Sequence, residues 1–335
     1  MAPIDAVWLE SWCARVFGAA GLTEADAVLA GAVLVRANLR GVDTHGVSRL
    51  PVYVDYLRRG EMRARPAMMV TECAGALVVD ADGALGQVAG PYGVDLAVER
   101  AGWQAVVAVV MRGVGHLGAL GVLALRAAER GMVAVVMQNG PPVMGLAGSR
   151  RAAIGNNPLA FAAPYGGVPL VFDMAASQVA FGRVIDAART GSAIPAGWAL
   201  DAGGEPTSDA AAALSGMLLP AGLHKGIGLA MLVECLAGSL SGVAQPPLAP
   251  GRTLPAAFGA FLLVVNPVLL APGFAAHMGG WLATYAGSGE GARYPGERAA
   301  EIEAARRAGG LELPAAVVAE LTRMGAALGT PFAPA

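Results

Sequence analysis

The sequence predicts an α/β protein whose sheet core is flanked by an all-α part formed by the N- and C-terminal segments. Helical periodicity runs through residues 5–60 and again through residues 296–327. Between these ends, strand-like and helix-like segments alternate, as they do in α/β folds. Of the 335 residues, 55% are hydrophobic and only 14% are charged, so the chain has enough apolar residues for a sizeable core. We therefore expect a helical domain of residues 1–66 plus 296–335 and an α/β cofactor-binding domain of residues 67–295.

The first two helices are predicted from charge pattern and capping. Residues 1–21 carry charged side chains among apolar ones, which is typical of an amphipathic helix and not of a signal peptide. Thr23 and Asp26 are spaced as in a capping box, so a second helix is expected over Ala25–Leu39.

A third helix should carry Leu50–Arg58. Because Pro51 is tolerated only in a first helical turn, this helix is expected to begin near Val47 or Ser48. The segment Asp43–Gly46 would then form the turn that leads into a helix N-terminus.

The middle of the chain alternates between segments with the periodicity of a strand and segments with the periodicity of a helix. Asp80–Gly83 is expected to be a turn. Strands are expected at Met68–Cys73, Ala76–Val79, Ala105–Met111, Met132–Met137, Leu159–Ala163, Leu170–Met174 and Phe258–Val265. Helices are expected at Pro91–Ala101, Ala119–Arg130, Gln178–Arg189, Gly226–Leu240, Gly296–Arg307 and Pro314–Ala327.

Composition excludes several classes of protein. The net charge of −2 leaves no basic surplus for nucleic acid. Three scattered cysteines give neither a disulfide framework nor a metal site, and they favour a cytoplasmic location. No charged residue lies within 253–289, but prolines interrupt this stretch, so we expect buried core or a subunit interface there and no membrane span.

The segment Gly113–Gly118 matches the GxGxxG pattern between a predicted strand and a predicted helix. A dinucleotide-binding fingerprint would place an acidic residue at the end of the next strand, where Gln138 and Asn139 stand. The residues therefore favour a turn of another kind, with a Rossmann fingerprint as the alternative.

The turn before the third helix carries His45, with Arg49 close behind it. The positive end of a helix dipole disfavours a charged imidazole, which suits such a histidine to proton exchange near neutral pH. Arg49 and Tyr53 share one helix face, and arginine grips a carboxylate with two parallel hydrogen bonds. The alternative is a capping turn with a surface arginine.

His224 and Lys225 precede an apolar helical run, where a lysine and free backbone amides would suit a phosphate group. His45, His116 and His224 all stand in glycine-flanked turns before predicted helices. Such turns often carry catalytic and cofactor-binding groups.

These segments, in their order along nearly the whole chain, resemble the malate/L-lactate dehydrogenase-like family. The family includes ureidoglycolate and sulfolactate dehydrogenases, diketogulonate reductase and piperideine-2-carboxylate reductase. The matching stretches are Leu39–Pro51, Gly115–Ala119, Ile154–Phe161, Val171–Ala175, Gly197–Asp201, Leu218–Pro220, Gly222–Gly226 and Tyr294–Arg298.

The resemblance implies a non-Rossmann NAD(P)-binding fold, usually dimeric. It implies His45 as the catalytic acid/base with Thr44 in support, although some members are described with the residue matching His116 in that role. It implies that Arg49 holds the substrate carboxylate, with Tyr53 and Asn156 beside the substrate. The implied cofactor contacts are His116, Leu117, Gly118, Ala119, Leu120, Asp173, Met174, Ala175, His224, Lys225, Gly296, Glu297 and Arg298.

The expected function is thus an NAD(P)H-dependent oxidoreductase that reduces a small 2-oxo or cyclic 2-imino carboxylate. A 2-hydroxy acid dehydrogenase working in the oxidative direction and a non-catalytic nucleotide-binding member are the alternatives. We expect NAD(H) or NADP(H) as cofactor, a small carboxylate as substrate and a homodimer, with no metal, nucleic acid or membrane partner. Asn156 and Arg183 depart from the residues common in the family and leave the substrate open.

Overall fold

Helices lie at both ends of the chain and a large sheet lies between them in the computed structural model, which describes residues 3–146, 148–243 and 258–334. This confirms the predicted α/β class. The longer helices are α1 (Ala6–Ala19), α2 (Glu24–Leu39), α3 (Leu50–Arg58), α4 (Gly86–Arg100), α5 (Leu120–Ala128), α6 (Phe181–Thr190), α8 (His224–Val233), α10 (Phe274–Ala286), α11 (Glu297–Gly309) and α12 (Ala315–Ala327). Two short helices are α7 (Ala210–Leu214) and α9 (Pro267–Leu270).

The helical part joins the two ends of the chain around one core. Thr23 caps α2 and exchanges hydrogen bonds with Asp26, as the sequence predicts. Ile4 pairs with Leu311 through backbone hydrogen bonds, and the buried side chains of α1, α2 and α3 pack with Leu321 of α12. The proposed domain limits at residues 66 and 296 stay a prediction.

The third helix starts later than the sequence predicts. Two 3-10 turns, Asp43–His45 and Val47–Arg49, precede α3. The predicted start near Val47 was therefore wrong, and α3 begins one 3-10 turn later, at Leu50. Pro51 lies at the start of α3, in the first helical turn where it is tolerated.

The large sheet has seven strands in the order β1-β2-β3-β10-β4-β5-β6. They are β1 (Met69–Cys73), β2 (Ala76–Ala84), β3 (Val106–Val114), β4 (Val133–Gln138), β5 (Leu159–Ala163), β6 (Leu170–Met174) and β10 (Phe258–Val265). Among these described strands, β2 and β3 pair in parallel and every other neighbouring pair is antiparallel. Helices α4 and α5 pack their apolar faces against this sheet.

The position of β10 brings three chain segments to one sheet edge. Because β10 is antiparallel to both β3 and β4, those two strands run in the same direction and end at the same edge. Phe258 begins β10 opposite Val114, and Ala260 lies opposite Gln138. The loops that follow β3 and β4 therefore leave the sheet beside the start of β10.

The expected turn at Asp80–Gly83 was wrong, because β2 runs through it to Ala84. Asp82 and Gly83 adopt positive φ angles of 50° and 74°, and the register with β3 shifts between Asp80 and Ala84. Such a β-bulge keeps polar turn-type residues inside a strand. The chain reverses instead at Ala74 and Gly75, which join β1 to β2.

Helix α4 begins five residues before the predicted start at Pro91. Two glycines in its first turns allow close packing. A methyl group at Gly86 would lie 2.1 Å from the His116 carbonyl oxygen, and one at Gly90 would lie 2.8 Å from Leu123. Glycine is thus required where α4 meets the loop after β3.

A smaller unit follows β6. Strands β7 (Ala199–Leu200), β8 (Pro206–Thr207) and β9 (Met217–Leu218) form a three-stranded sheet that packs with α6, α7 and α8. The helix predicted over 226–240 is α8, followed by a π-helical turn at Glu234–Ser239. The proline-rich stretch after Val243 lies outside the described residues. No helix in the described ranges is long and apolar enough to cross a membrane.

Candidate active site

A cavity of about 620 Å³ opens at the sheet edge where β3 and β4 end; we call it the histidine cavity. Several predicted site residues line it together, namely Thr44, His45, His116, Gly118, Ala119, Asn156, Asp173, Met174, Ala175 and Arg298. Residues that the sequence did not assign to the site also line it, among them Asp43, Gln138, Asn139, Arg183 and Phe258.

Two histidine rings lie side by side in this cavity. The ring centroids of His45 and His116 are 5.6 Å apart. The Thr44 hydroxyl lies 2.9 Å from Nδ1 of His45, and the Tyr53 hydroxyl lies 2.8 Å from Nδ1 of His116. Since a hydroxyl occupies each Nδ1, the Nε2 atom of each ring is the one left for proton exchange.

Both imidazoles are neutral near pH 7. Burial and then the nearby Arg49 charge lower the pKa of His45 to about 4. Burial, His45 and Arg49 lower the pKa of His116 well below the usual histidine value. A buried ring beside a guanidinium disfavours its own positive charge.

Tyr53 is 2% exposed, so its contact with His116 is shielded from water. Burial raises the pKa of Tyr53 to about 12. The phenol therefore keeps its proton and shares a hydrogen bond with Nδ1 of His116. The fully buried Gln87 of α4 donates to the His116 carbonyl oxygen at 3.0 Å, which fixes the backbone of the same residue.

The turn that carries Thr44 and His45 is held by Asn38 at the end of α2 and by Arg306 of α11, far along the chain. Asp43 accepts two hydrogen bonds from Arg306 of α11, at 2.8 and 3.1 Å, and one from Asn38 at 2.7 Å. The Asn38 side-chain oxygen accepts from the Val47 amide. A methyl group at Gly46 would lie 2.1 Å from that oxygen, so the turn needs glycine there.

Side chains of β4 and β6 bind the backbone of the loop after β3 and of the start of α5. Gln138 accepts from the Leu117 amide at 2.8 Å and donates to the Gly115 carbonyl at 2.9 Å. The Asp173 carboxylate accepts from the Gly121 amide at 2.7 Å, at the start of α5. Desolvation by the cavity walls raises the pKa of Asp173 to about 6, although the Gly121 hydrogen bond lowers it.

A second network, which the sequence analysis missed, supports the cavity wall behind Asn156. Asn157 is fully buried with φ of 31°, and its amide group donates to the Ala230 carbonyl and to Glu234. Asn139 donates to the other oxygen of Glu234 at 3.4 Å and accepts from the Gly259 amide. Glu234 therefore ties together the segments after β4 and before β5. The signal available was the run of amide residues at 138–139 and 156–157.

Arg49 lies in an adjoining cavity of about 590 Å³, which we call the Arg49 cavity. Asp43 and Thr44 line both cavities. Arg49 donates from Nε to the Thr44 carbonyl at 3.0 Å. A methyl group at Gly182 of α6 would lie 3.8 Å from its Nη2 atom. The guanidinium thus lies between the histidine turn and the start of α6.

The remaining predicted site residues lie elsewhere. Leu117 and Leu120 are buried in the core, and Gly296 and Glu297 stand at the start of α11 next to Arg298. His224 and Lys225 are exposed at the start of α8 and line neither cavity. Leu223, just before them, has a φ of 56° and a ψ of −112°, a region that non-glycine residues rarely adopt.

Comparison with known proteins identifies relatives along almost the entire chain. The profile of the family described as malate/L-lactate dehydrogenase matches residues 4–322. The chain is 37% identical over 319 residues to a (2R)-3-sulfolactate dehydrogenase (NADP(+)) of Chromohalobacter salexigens, covering 93% of this chain and 95% of that one. It is 35% identical over 258 residues to the ureidoglycolate dehydrogenase (NAD(+)) of Escherichia coli, covering 74% and 72%.

Solved structures share the fold. The Δ1-piperideine-2-carboxylate reductase of Pseudomonas syringae superimposes with a TM-score of 0.89 at 31% identity, covering 97% of this chain and 100% of that one. The malate dehydrogenase of Pyrococcus horikoshii superimposes with a TM-score of 0.88 at 29% identity, covering 98% and 95%. These findings confirm the resemblance drawn from the sequence. The chain belongs to the malate/L-lactate dehydrogenase family and is an oxidoreductase.

Proposed function

We propose that this protein is an NAD(H)- or NADP(H)-dependent enzyme that reduces a small 2-oxo or cyclic 2-imino carboxylate. The observation that carries the proposal is the pair of histidine rings, 5.6 Å apart, beside an arginine that adjoins the same turn. The names of the relatives support it, since they pair NADP(+) or NAD(+) with small acids.

The histidine cavity fits a nicotinamide cofactor in size and in charge. Its volume of about 620 Å³ is within the range of small-molecule sites. Arg183 and Arg298 line it, and neither forms an ion pair with another described residue. Two unpaired guanidiniums suit the two charges of a pyrophosphate. When bound, the reduced nicotinamide supplies the hydride that is transferred to C2 of the substrate.

We propose further that this binding mode is not that of a Rossmann fold. In the Gly113–Gly118 turn, the Gly115 amide bonds to the Ala84 carbonyl and the Leu117 amide bonds to Gln138. The Asp173 carboxylate accepts from the Gly121 amide at the start of α5. A Rossmann turn would direct such amides at the pyrophosphate.

His45 is the proposed acid/base, with Nε2 as the exchanging atom. In the reductive direction, His45 gives its proton to the oxygen or nitrogen on C2 while C2 gains the hydride. A substrate carboxylate beside Arg49 would offset the charge that lowers the pKa of His45, which favours the protonated ring. His116 is the alternative donor, since its Nδ1 is occupied by Tyr53 in the same way.

Arg49 is the proposed carboxylate anchor. Its Nε atom is bonded to the Thr44 carbonyl, so its two Nη groups remain for a carboxylate. Anchoring the carboxylate next to the His45 turn fixes the position of C2, and such positioning accelerates a reaction between two bound groups.

Oxidation of a 2-hydroxy acid is the second candidate, and the lowered pKa of His45 favours it. A neutral imidazole accepts the hydroxyl proton as the hydride leaves C2. Absorbance of reduced nicotinamide, followed over a panel of 2-oxo acids and cyclic imines and, in reverse, of 2-hydroxy acids, separates the two directions. Cofactor binding without turnover of any member of the panel would instead support a non-catalytic protein.

A further inference from the structure

The Arg49 cavity is larger than the smallest 2-oxo acids need. Its volume is about 590 Å³, and cavities of that size accommodate ligands far larger than a three-carbon acid. It begins at the wall that Asp43 and Thr44 share with the histidine cavity. It extends from there between α3, α6 and α12. A substrate anchored on Arg49 would therefore have space on the side away from the histidines.

Part of this space has apolar walls. Val52 of α3 is 39% exposed and Ile185 of α6 is 43% exposed, and both line the cavity together with Leu313 and Val317. Apolar side chains that remain exposed in a cavity gain free energy when a ligand removes them from water. The walls thus suit an apolar group.

The described lining of the cavity is left with one net positive charge, because one of its acids, Asp43, is paired with Arg306 from outside the lining. The lining holds three arginines and three acids, namely Arg49, Arg189, Arg323, Asp43, Asp186 and Glu320. Asp43 is already neutralised by Arg306, and the α6 pair lies 3.5 Å apart. Glu320 and Arg323 of α12 form no ion pair with each other, but their opposite charges add nothing to the net charge of the lining. What remains is one net positive charge, which matches one carboxylate.

We propose that the Arg49 cavity receives the substrate side chain, and that the substrates are 2-oxo or 2-hydroxy monocarboxylates with a neutral, mainly apolar side chain of several carbons. The inference rests on the proposed function only in taking Arg49 as the carboxylate anchor. Malate and sulfolactate, named in relatives, carry a second acidic group. The described lining of the Arg49 cavity has no further net positive charge for it.

Binding calorimetry tests this without relying on turnover. Straight-chain 2-hydroxy acids of increasing length are titrated into the full-length protein, with and without saturating reduced nicotinamide cofactor, which cannot react with them. Each buried methylene should lower Kd about fourfold until the cavity is filled. Malate should bind more weakly than the monocarboxylate of equal chain length. If Kd depends on chain length but the protein shows no turnover, the side-chain cavity is supported and the oxidoreductase reaction is rejected. Failure of this inference and failure of the proposed function are therefore distinguishable.

A variant that fills the Arg49 cavity tests whether the dependence of Kd on chain length arises there. Val52→Trp should raise Kd for the longest acid about tenfold or more and flatten the chain-length series, because the indole occupies the space. Ile185→Trp gives the same test from the opposite wall if the first variant does not fold. Val28→Trp, at a position 57% exposed on α2 and outside the cavity, is the matched control and should keep the wild-type series. A flat series in the wild type, or tighter binding of malate than of any monocarboxylate, would overturn the proposal.

Discussion

The phenolic oxygen of Tyr53 lies 2.8 Å from Nδ1 of His116, and the phenol is almost fully buried. Burial raises the pKa of Tyr53 to about 12, so the phenol stays neutral in this hydrogen bond. The contact occupies Nδ1 of His116 and leaves Nε2 as the ring atom for proton exchange. We therefore propose that Tyr53 acts on the site through His116. Its place beside the substrate, which the resemblance implied, stays a prediction.

Tyr53→Phe removes this hydroxyl and keeps the aromatic packing. Leaving a buried Nδ1 without its partner costs about 1–3 kcal/mol, so kcat should fall by about 5- to 150-fold. Steady-state kinetics, with thermal unfolding and cofactor titration as controls, measure this. A variant with wild-type kcat and only a lower Tm would show that the contact is merely structural.

His45→Ala and His116→Ala decide which ring exchanges the proton. Loss of the acid/base should lower kcat about 100-fold or more, and we expect this for His45. Nicotinamide binding, followed by fluorescence, should be retained in His45→Ala. If His45→Ala turned over normally while His116→Ala were inactive, the acid/base role would belong to His116.

Arg49→Lys keeps a positive charge and loses the planar fork of the guanidinium. Because a lysine cannot form two parallel bonds to a carboxylate, kcat/KM should fall about 10- to 1000-fold, which corresponds to about 1.4–4 kcal/mol. Cofactor affinity should stay near the wild-type value. Unchanged kcat/KM in this variant would require a different anchor for the substrate.

The free energy of unfolding should fall as the pH is lowered, because His45 is buried as a neutral ring. Folding lowers the pKa of His45 from 6.5 to about 4, so between these values the unfolded chain binds a proton that the folded chain does not. The stabilising contribution of neutral His45 is complete above pH 6.5 and is lost as the pH falls toward 4. Urea unfolding at several pH values should show a shallower decline for His45→Gln. His277→Gln, on the exposed surface of α10, should decline like the wild type.

We propose that the protein forms a homodimer through the apolar surface of α9 and α10. Leu269, Leu270 and Trp281, all within the uncharged stretch 253–289, are 51%, 61% and 56% exposed, and apolar patches of this kind mark interfaces. Light scattering at micromolar concentration should report a dimer. Trp281→Arg should shift it toward the monomer, and Trp103→Arg, at another exposed tryptophan, should not. A stable wild-type monomer would refute the interface.

Local sequence signals predicted much of the fold. The limits of β5, β6 and β10 agree with the prediction, because apolar runs bounded by turn residues identify buried strands. The start of α4 was missed because Gly86 and Gly90 are poor helix formers whose value lies in contacts with distant residues. The three strands of the smaller sheet were missed because each has two residues, too few to show periodicity.

Only those residues of the candidate site that belong to a recognisable motif could be predicted from the sequence. His45, His116 and Arg49 stand in recognisable turns, and the structure brings the two histidines together. The residues that hold these side chains in place could not be predicted from local motifs. Arg306 and Asp43 are 263 residues apart, and nothing local to either residue indicates the other. The role of Tyr53 was likewise hidden, since its contact with His116 depends on how α3 meets the loop after β3.

The place of β10 has a consequence for how this chain is synthesised. The strand that holds β3 to β4 begins at Phe258, so a ribosome completes both of those strands long before their common partner emerges. Until then each presents an open edge rich in valine, the kind of surface that pairs with other chains. Contacts so distant in sequence also form slowly. The nascent protein should therefore need protection from aggregation until the last quarter of the chain is made, and truncation before residue 258 should yield insoluble product.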